Sequence, residues 1–232
     1  SVTPDATLTL EFPALPKMQD DLPAACEVHI PKDYDPARPV PLLVWINGGK
    51  GSHRVDGARG LVDFDRFVVA AFPYPGGRDM RAVTKAGEED GVWAFQQTML
   101  KRVMQLVPNI DPKVRIVAGT SNGAHMIGTA LNREWPGFVD YFNFFVLHEG
   151  GSAPAPNYPG AKGKRLLVIW GEESEAYKWQ IWFNWHIGQS GAHITYESVP
   201  GARHGLSGRG RAMIRSWLDE TTAGLPSVDV VE

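Results

Sequence analysis

Val114-Arg115-Ile116-Val117-Ala118-Gly119-Thr120-Ser121-Asn122-Gly123 decides the fold of this 232-residue chain. Its first half is a short β-branched run of the kind that fills a buried parallel strand. Its second half reads Gly-x-Ser-x-Gly. From Ala124 to Glu134 small and apolar residues recur at helical spacing, and Pro136 closes the pattern. A serine that leaves a strand and enters a helix within one residue needs a strained backbone, and flanking glycines remove the clashes that would forbid it. The hydroxyl of Ser121 is then exposed above the amides of a helix N-terminus.

The same alternation extends along the chain. Thr7 to Phe12 and Ala25 to Ile30, separated by a Pro-rich turn, suit an antiparallel pair at a sheet edge. Val40 to Ile46, Phe67 to Phe72, Val114 to Ala118, Tyr141 to Leu147, Arg165 to Trp170 and Ile194 to Val199 are further β-rich runs. Helical patterns lie at Gly91 to Val107, Asn122 to Glu134, Glu175 to Gly188 and Gly210 to Thr222. In the first of these, Val92, Phe95, Met99, Val103 and Leu106 form one apolar stripe, and Asp90 is placed to cap it. Such alternation predicts an α/β fold, with a mostly parallel central sheet, helices on both faces and an antiparallel N-terminal edge. Residues 1–232 read as one domain, with residues 224–232 expected to form a loosely held tail.

Composition narrows the partners. A net charge of -3, without a Lys/Arg cluster, gives no electrostatic footprint for nucleic acid or an anionic membrane. No apolar run is long enough to span a bilayer. The start, Ser1-Val2-Thr3-Pro4-Asp5, is neither basic nor apolar enough for a signal peptide, which fits equally an exported mature form without its leader and a start exposed by loss of a tag. Cys26 is the only cysteine, so it has no internal disulfide partner and reads as a small buried residue. No Cys/His cluster offers a metal site, and no metal or organic cofactor is expected. The sequence carries no signal for oligomeric state.

In a parallel sheet, chemistry gathers at the carboxyl ends of the strands. Four endings stand out: Asn47-Gly48-Gly49, Ser121, Gly171-Glu172-Glu173-Ser174-Glu175 and Arg203-His204-Gly205. A serine nucleophile needs a base titrating near neutrality, and histidine meets that need. His204 combines a strand end, a glycine neighbour and a late position. His125, His186 and His193 read as structural or surface residues, while His148 ends a strand. Backbone amides at Gly48 and Gly49, together with that of Asn122, are placed to bind an oxyanion. Gly48-Gly49-Lys50-Gly51-Ser52 lacks the spacing of a phosphate-binding loop.

The order Asn-Gly-Gly, Gly-x-Ser-x-Gly, acid and His resembles the α/β-hydrolase fold family over nearly the whole chain. Within it, Gly119-Thr120-Ser121-Asn122-Gly123-Ala124-His125-Met126 is similar to the elbow of the esterase and polyhydroxybutyrate-depolymerase-like group, which also contains feruloyl and acetyl-xylan esterases. The resemblance implies a Ser-His-acid mechanism on a carboxylic ester, small or polymeric, through an acyl-enzyme. Its usual Asp, three residues after the glycine that ends the seventh core strand, is replaced here by Ser174. Glu175, Glu172 and Glu149 are the candidates for the acid, with Glu175 placed first.

The helix after this loop carries Tyr177, Trp179, Trp182, Phe183 and Trp185. Core packing is the plain reading of these aromatics, and a pocket beside His204 is the sharper one. Two other functions share the scaffold: a peptidase or amidase with the same triad, and a non-catalytic binding protein, suggested by Ser174.

Overall fold

The computed structural model describes residues 2–153 and 155–223, so the expected tail at 224–232 lies outside the described residues. One eight-stranded sheet organises the chain. Its strands are β1 (Ala6–Glu11), β2 (Ala25–Ile30), β3 (Val40–Ile46), β4 (Val68–Ala71), β5 (Ile110–Thr120), β6 (Phe144–His148), β7 (Arg165–Gly171) and β8 (His193–Val199). They run in the order β1-β2-β4-β3-β5-β6-β7-β8. β1 pairs antiparallel with β2, and β2 antiparallel with β4. All remaining pairs are parallel.

Among the described residues five α-helices accompany the sheet: α1 (Met80–Ala86), α2 (Glu89–Leu106), α3 (Asn122–Arg133), α4 (Gln180–Ile187) and α5 (Gly208–Ala223). Successive strand residues face opposite sides, so β3 sends Leu43 and Trp45 to one layer and Val44 and Ile46 to the other. The first layer is closed by Ile214 and Leu218 of α5. The second is closed by Phe95 and Met99 of α2 with Ile127 and Leu131 of α3. Each such fully buried aliphatic or aromatic side chain contributes about 1.5–3 kcal/mol from removal of apolar surface from water.

Several local expectations change. Helix α2 begins at Glu89, and Asp90 lies in its first turn instead of capping it. The reason is the short α1, which ends at the left-handed Gly87 and passes almost directly into α2. The Asp90 carboxylate instead accepts the Trp135 indole N–H at 2.8 Å. The helical pattern expected from Glu175 to Gly188 is divided into a 3₁₀ turn, Glu175–Trp179, followed by α4. Tyr141 and Phe142 precede β6 and pack edge-on against each other.

The passage from β5 into α3 is tight. A Cβ on Gly119 would lie 2.5 Å from the carbonyl carbon of Gly123, and a Cβ on Gly123 would overlap the carbonyl oxygen of Ile46. Both positions therefore admit only glycine, and their closeness presses α3 onto β3 and β5. Among the described residues no helix is long and apolar enough to cross a membrane.

Candidate active site

Ser121 stands between β5 and α3 with φ 50° and ψ -112°. This conformation costs a non-glycine residue about 1–3 kcal/mol and persists because its surroundings hold it. Its N–H donates to the His148 carbonyl at 2.8 Å, and its carbonyl accepts the His125 N–H at 3.0 Å. The side chain projects at the carboxyl edge of the sheet, where His204 Nε2 lies 3.1 Å from Ser121 Oγ.

His204 follows β8, and its other ring nitrogen is held by a carboxylate. Glu149 Oε2 lies 2.8 Å from His204 Nδ1, and the glutamate side chain is fully buried. Two further donors complete its shell: Gly205 N–H to Oε2 at 2.7 Å and Gly171 N–H to Oε1 at 3.1 Å. These backbone bonds fix the carboxylate and hold the proton of a neutral His204 on Nδ1, leaving Nε2 to accept from the serine hydroxyl. Glu149 itself adopts φ 54°, the second left-handed non-glycine position at this edge.

The structure thus brings together Ser121, His204 and Glu149, and leaves the other acids apart. Glu175 opens the 3₁₀ turn after β7 and lines the cavity wall without an ion pair to His204. Glu172 accepts the Ser198 hydroxyl at 3.0 Å on the exposed face of the loop. In sequence Glu175 is offset by one residue from Ser174, which favours it as the acid. The loop instead presents Ser174, whose Oγ accepts the Ala176 N–H at 3.2 Å and lies 3.4 Å from His204 Nδ1. The carboxylate arrives from the neighbouring strand end because β6 and β7 are adjacent in the sheet.

Behind these residues, Thr120 Oγ1 and His148 Nδ1 are 2.7 Å apart. Burial pushes the His148 imidazole down to about 4, so it is neutral near pH 7.

The Asn47-Gly48-Gly49 turn faces Ser121. A Cβ on Gly48 would lie 3.3 Å from that of Ser121, and Gly49 has φ 58°. The Gly48 N–H is held by its neighbour's side chain, Asn47 Oδ1, at 2.9 Å. The Asn122 side chain is a strut: it donates to Gly49 O at 2.8 Å and to Arg78 O at 3.2 Å, and accepts the Met80 N–H at 2.6 Å. Its own N–H, at the start of α3, has no acceptor one turn back within the helix. Gly48 and Gly49 line the smaller of the two cavities beside Ser121.

Two cavities meet at Ser121 and His204. The larger, of about 710 Å³, is walled by Met80, Ala153, Trp170, Trp182 and Phe183, with His125 among its polar groups. The smaller, of about 430 Å³, is lined by Trp45, the Gly48-Gly49 turn, Thr120, Leu206 and Arg211. The plain core reading of the aromatic helix holds for Phe183 but not for the tryptophans: Trp179, Trp182 and Trp185 are 59%, 41% and 63% exposed. Trp179 and Trp182 border the larger cavity. The sequence pattern gives His125 a structural or surface role, yet it lines the cavity one helical turn after Ser121. The i to i+4 spacing from the serine is the signal that places it there.

A mostly parallel sheet with the order 1-2-4-3-5-6-7-8, a strained serine after β5 and a histidine after β8 form one recurrent architecture. The chain has the α/β-hydrolase fold. No protein-family model matches it, and no curated protein matches it by sequence. Solved α/β-hydrolase structures do resemble it. A fungal esterase from Rhizomucor miehei matches with a TM-score of 0.67 and 14% identity, over 96% of this chain and 85% of that one. Thermogutta terrifontis esterase 2, solved phosphorylated by paraoxon, gives 0.64 and 16%, over 94% and 93%. A chain from Bacteroides ovatus named provisionally as a dipeptidyl aminopeptidase IV gives 0.63 and 16%; it is covered over only 35% of its length, while 93% of the present chain is used. At these identities the likeness carries the α/β-hydrolase fold alone.

Proposed function

We propose that this chain is a serine carboxylic-ester hydrolase. The observation that carries the reading is the continuous line from Ser121 Oγ to His204 Nε2 at 3.1 Å and from His204 Nδ1 to Glu149 Oε2 at 2.8 Å. His204 takes the hydroxyl proton as Ser121 Oγ bonds to the ester carbonyl carbon. Buried Glu149 stabilises the imidazolium that forms. The carbonyl oxygen gathers negative charge between the Gly49 and Asn122 amides, which need no reorganisation to receive it. His204 then gives its proton to the departing alcohol. Water enters, loses a proton to His204, attacks the acyl-enzyme and releases the acid as the proton returns to Ser121.

The solved esterases of the same fold support an ester as substrate, and the phosphorylated one is consistent with a nucleophile open to organophosphates. The larger cavity has room for a small ester. Its rim, where Trp179 and Trp182 are exposed, also lets a longer polyester or an ester-bearing polysaccharide continue outward. The test is incubation with paraoxon followed by mass spectrometry, together with paired assays on a 4-nitrophenyl ester and the matching anilide. One diethylphosphoryl group on Ser121, none on a Ser121→Ala variant, and turnover of the ester alone are expected. Absence of labelling and of ester turnover overturns the reading in favour of a binding protein. Turnover of the anilide at a comparable rate favours an amidase.

A further inference from the structure

His125 Nδ1 receives the Gly151 N–H at 3.3 Å and lies 3.0 Å from Ser152 Oγ. An amide N–H can only donate, so Nδ1 is the acceptor nitrogen of the ring, and the proton of the neutral imidazole sits on Nε2. Burial pushes the group down to about 4, so the ring is uncharged near pH 7 and does not compete with His204 as a base. Its titratable neighbours are Asp79, Arg81 and His204, and a hydrogen bond to the Ser152 backbone acts against the effect of burial. Asp79 is engaged by Arg81, whose backbone N–H and guanidinium donate to it at 2.8–3.1 Å. The ring lines the larger cavity with Ser121 and His204, where apolar wall predominates and Asp79, Arg81, Glu175 and Lys178 supply the charged part.

A fixed N–H donor beside predominantly apolar wall selects for oxygen atoms, because a ligand that offers none leaves the donor unsatisfied where it packs against the ring. We propose that His125 is a specificity-determining residue whose Nε2–H binds an acceptor oxygen, such as an ether, hydroxyl or keto group, in the part of the substrate that fills the larger cavity. The preferred ester therefore carries a second oxygen function beyond its ester group. This rests on the ester-hydrolase reading for its kinetic test only.

Two side-chain replacements separate this role from support of the loop after Glu149. In His125→Asn the amide oxygen falls near the former Nδ1 position, keeping the acceptor for Gly151 and removing the distal donor. In His125→Gln the amide nitrogen reaches toward the former Nε2 position. The substrates are 4-nitrophenyl pentanoate with its two ether isosteres, ethoxyacetate and 3-methoxypropionate, and the corresponding alkyl and alkoxyalkyl acetates. All rates are divided by those with hydroxide. The wild type is expected to favour at least one ether over its alkyl partner by about tenfold in kcat/KM. The preference should collapse toward unity in His125→Asn and survive in His125→Gln. Equal use of every pair by the wild type, or an unchanged preference in His125→Asn, overturns the proposal.

A second measurement is independent of turnover. In protein labelled with ¹⁵N-histidine, His125 should show the Nε2–H tautomer, and its Nε2 resonance should shift with 3-methoxypropionanilide but not with pentananilide. The Nδ1–H tautomer, or equal shifts with both anilides, overturns the proposal. The expected tautomer and selective shift without hydrolysis of any ester leave His125 as assigned and overturn the ester reading alone.

Discussion

Ser174 Oγ lies 3.4 Å from His204 Nδ1, the nitrogen that Glu149 Oε2 meets at 2.8 Å. The loop after β7 approaches the histidine with a hydroxyl, and the strand beside it supplies the charge. Replacing Glu149 with Gln preserves shape and removes that charge. kcat on a 4-nitrophenyl ester should fall by about 10³–10⁴-fold, as for loss of the orienting carboxylate in other serine triads. Glu175→Gln and Glu172→Gln should stay within about twofold, because surface-loop charges away from the reacting atoms have little hold on the barrier. Comparable losses in all three variants would remove Glu149 from its assigned place.

The proximity of Ser174 makes the acid transferable. A carboxylate built at that position has a short path to the same ring nitrogen. In a Glu149→Gln background, Ser174→Asp should regain about tenfold or more of the lost kcat through a new charge-assisted bond. Crystallography of the double variant would show which oxygen faces His204. No gain, with the Asp seen beside the histidine, would mean that the backbone bonds from Gly171 and Gly205 matter more than the charge itself.

The elbow should be intolerant of single methyl groups. Gly123→Ala sets a Cβ against the Ile46 carbonyl, and Gly119→Ala sets one 2.5 Å from the Gly123 carbonyl carbon. Each should lower stability by about 1–3 kcal/mol or more in urea unfolding, since strand and helix backbones must separate. Gly49→Ala meets nothing within 4 Å, and its cost is confined to φ 58°. That cost is about 1–2 kcal/mol. A Gly123→Ala protein as stable as the wild type would contradict the packing of α3 on β3.

Stability should fall as the solution is acidified from pH 7 toward pH 5. His125 and His148 are both held at about 4 by burial, below the ordinary histidine value of 6.5. Within this interval the unfolded chain binds more protons than the folded one, and protonation therefore favours unfolding. Their contribution is fully present above the unfolded value and is lost progressively as pH drops toward the folded one. Urea midpoints at pH 7, 6 and 5 measure it, and a His148→Gln variant should show a shallower decline. A flat profile for the wild type would mean that neither ring is held neutral.

The strands and the serine elbow were legible because their signals are local. β-branched runs bounded by turns marked the sheet, and Gly119 and Gly123 stand within the span that demands them. Ser121 and His204 were singled out together, and the structure sets them within hydrogen-bond reach. Glu149 is less legible, because the strand end that delivers a carboxylate to His204 depends on the adjacency of β6 and β7, which the assembled sheet sets. Helix α4 misled for another reason. An apolar helix is ordinarily buried all round, yet only Phe183 and Ile187 are buried here, and Ile181 is 80% exposed. His125 was obscured because helical spacing alone gives the same pattern to a core residue and to a cavity wall. The short α1, in a Gly- and Pro-rich passage, offered too few residues for a periodic signal.

Thr120 and His148 are register partners in the parallel ladder, and Ser121 and Glu149 are the residues that follow them. The separation of Ser121 and Glu149 is thereby measured by the rungs of the sheet, near 4.8 Å between neighbouring strands, and not by any loop. A scaffold that keeps its ruler in the backbone can exchange the surrounding loops without changing the spacing of these two side chains.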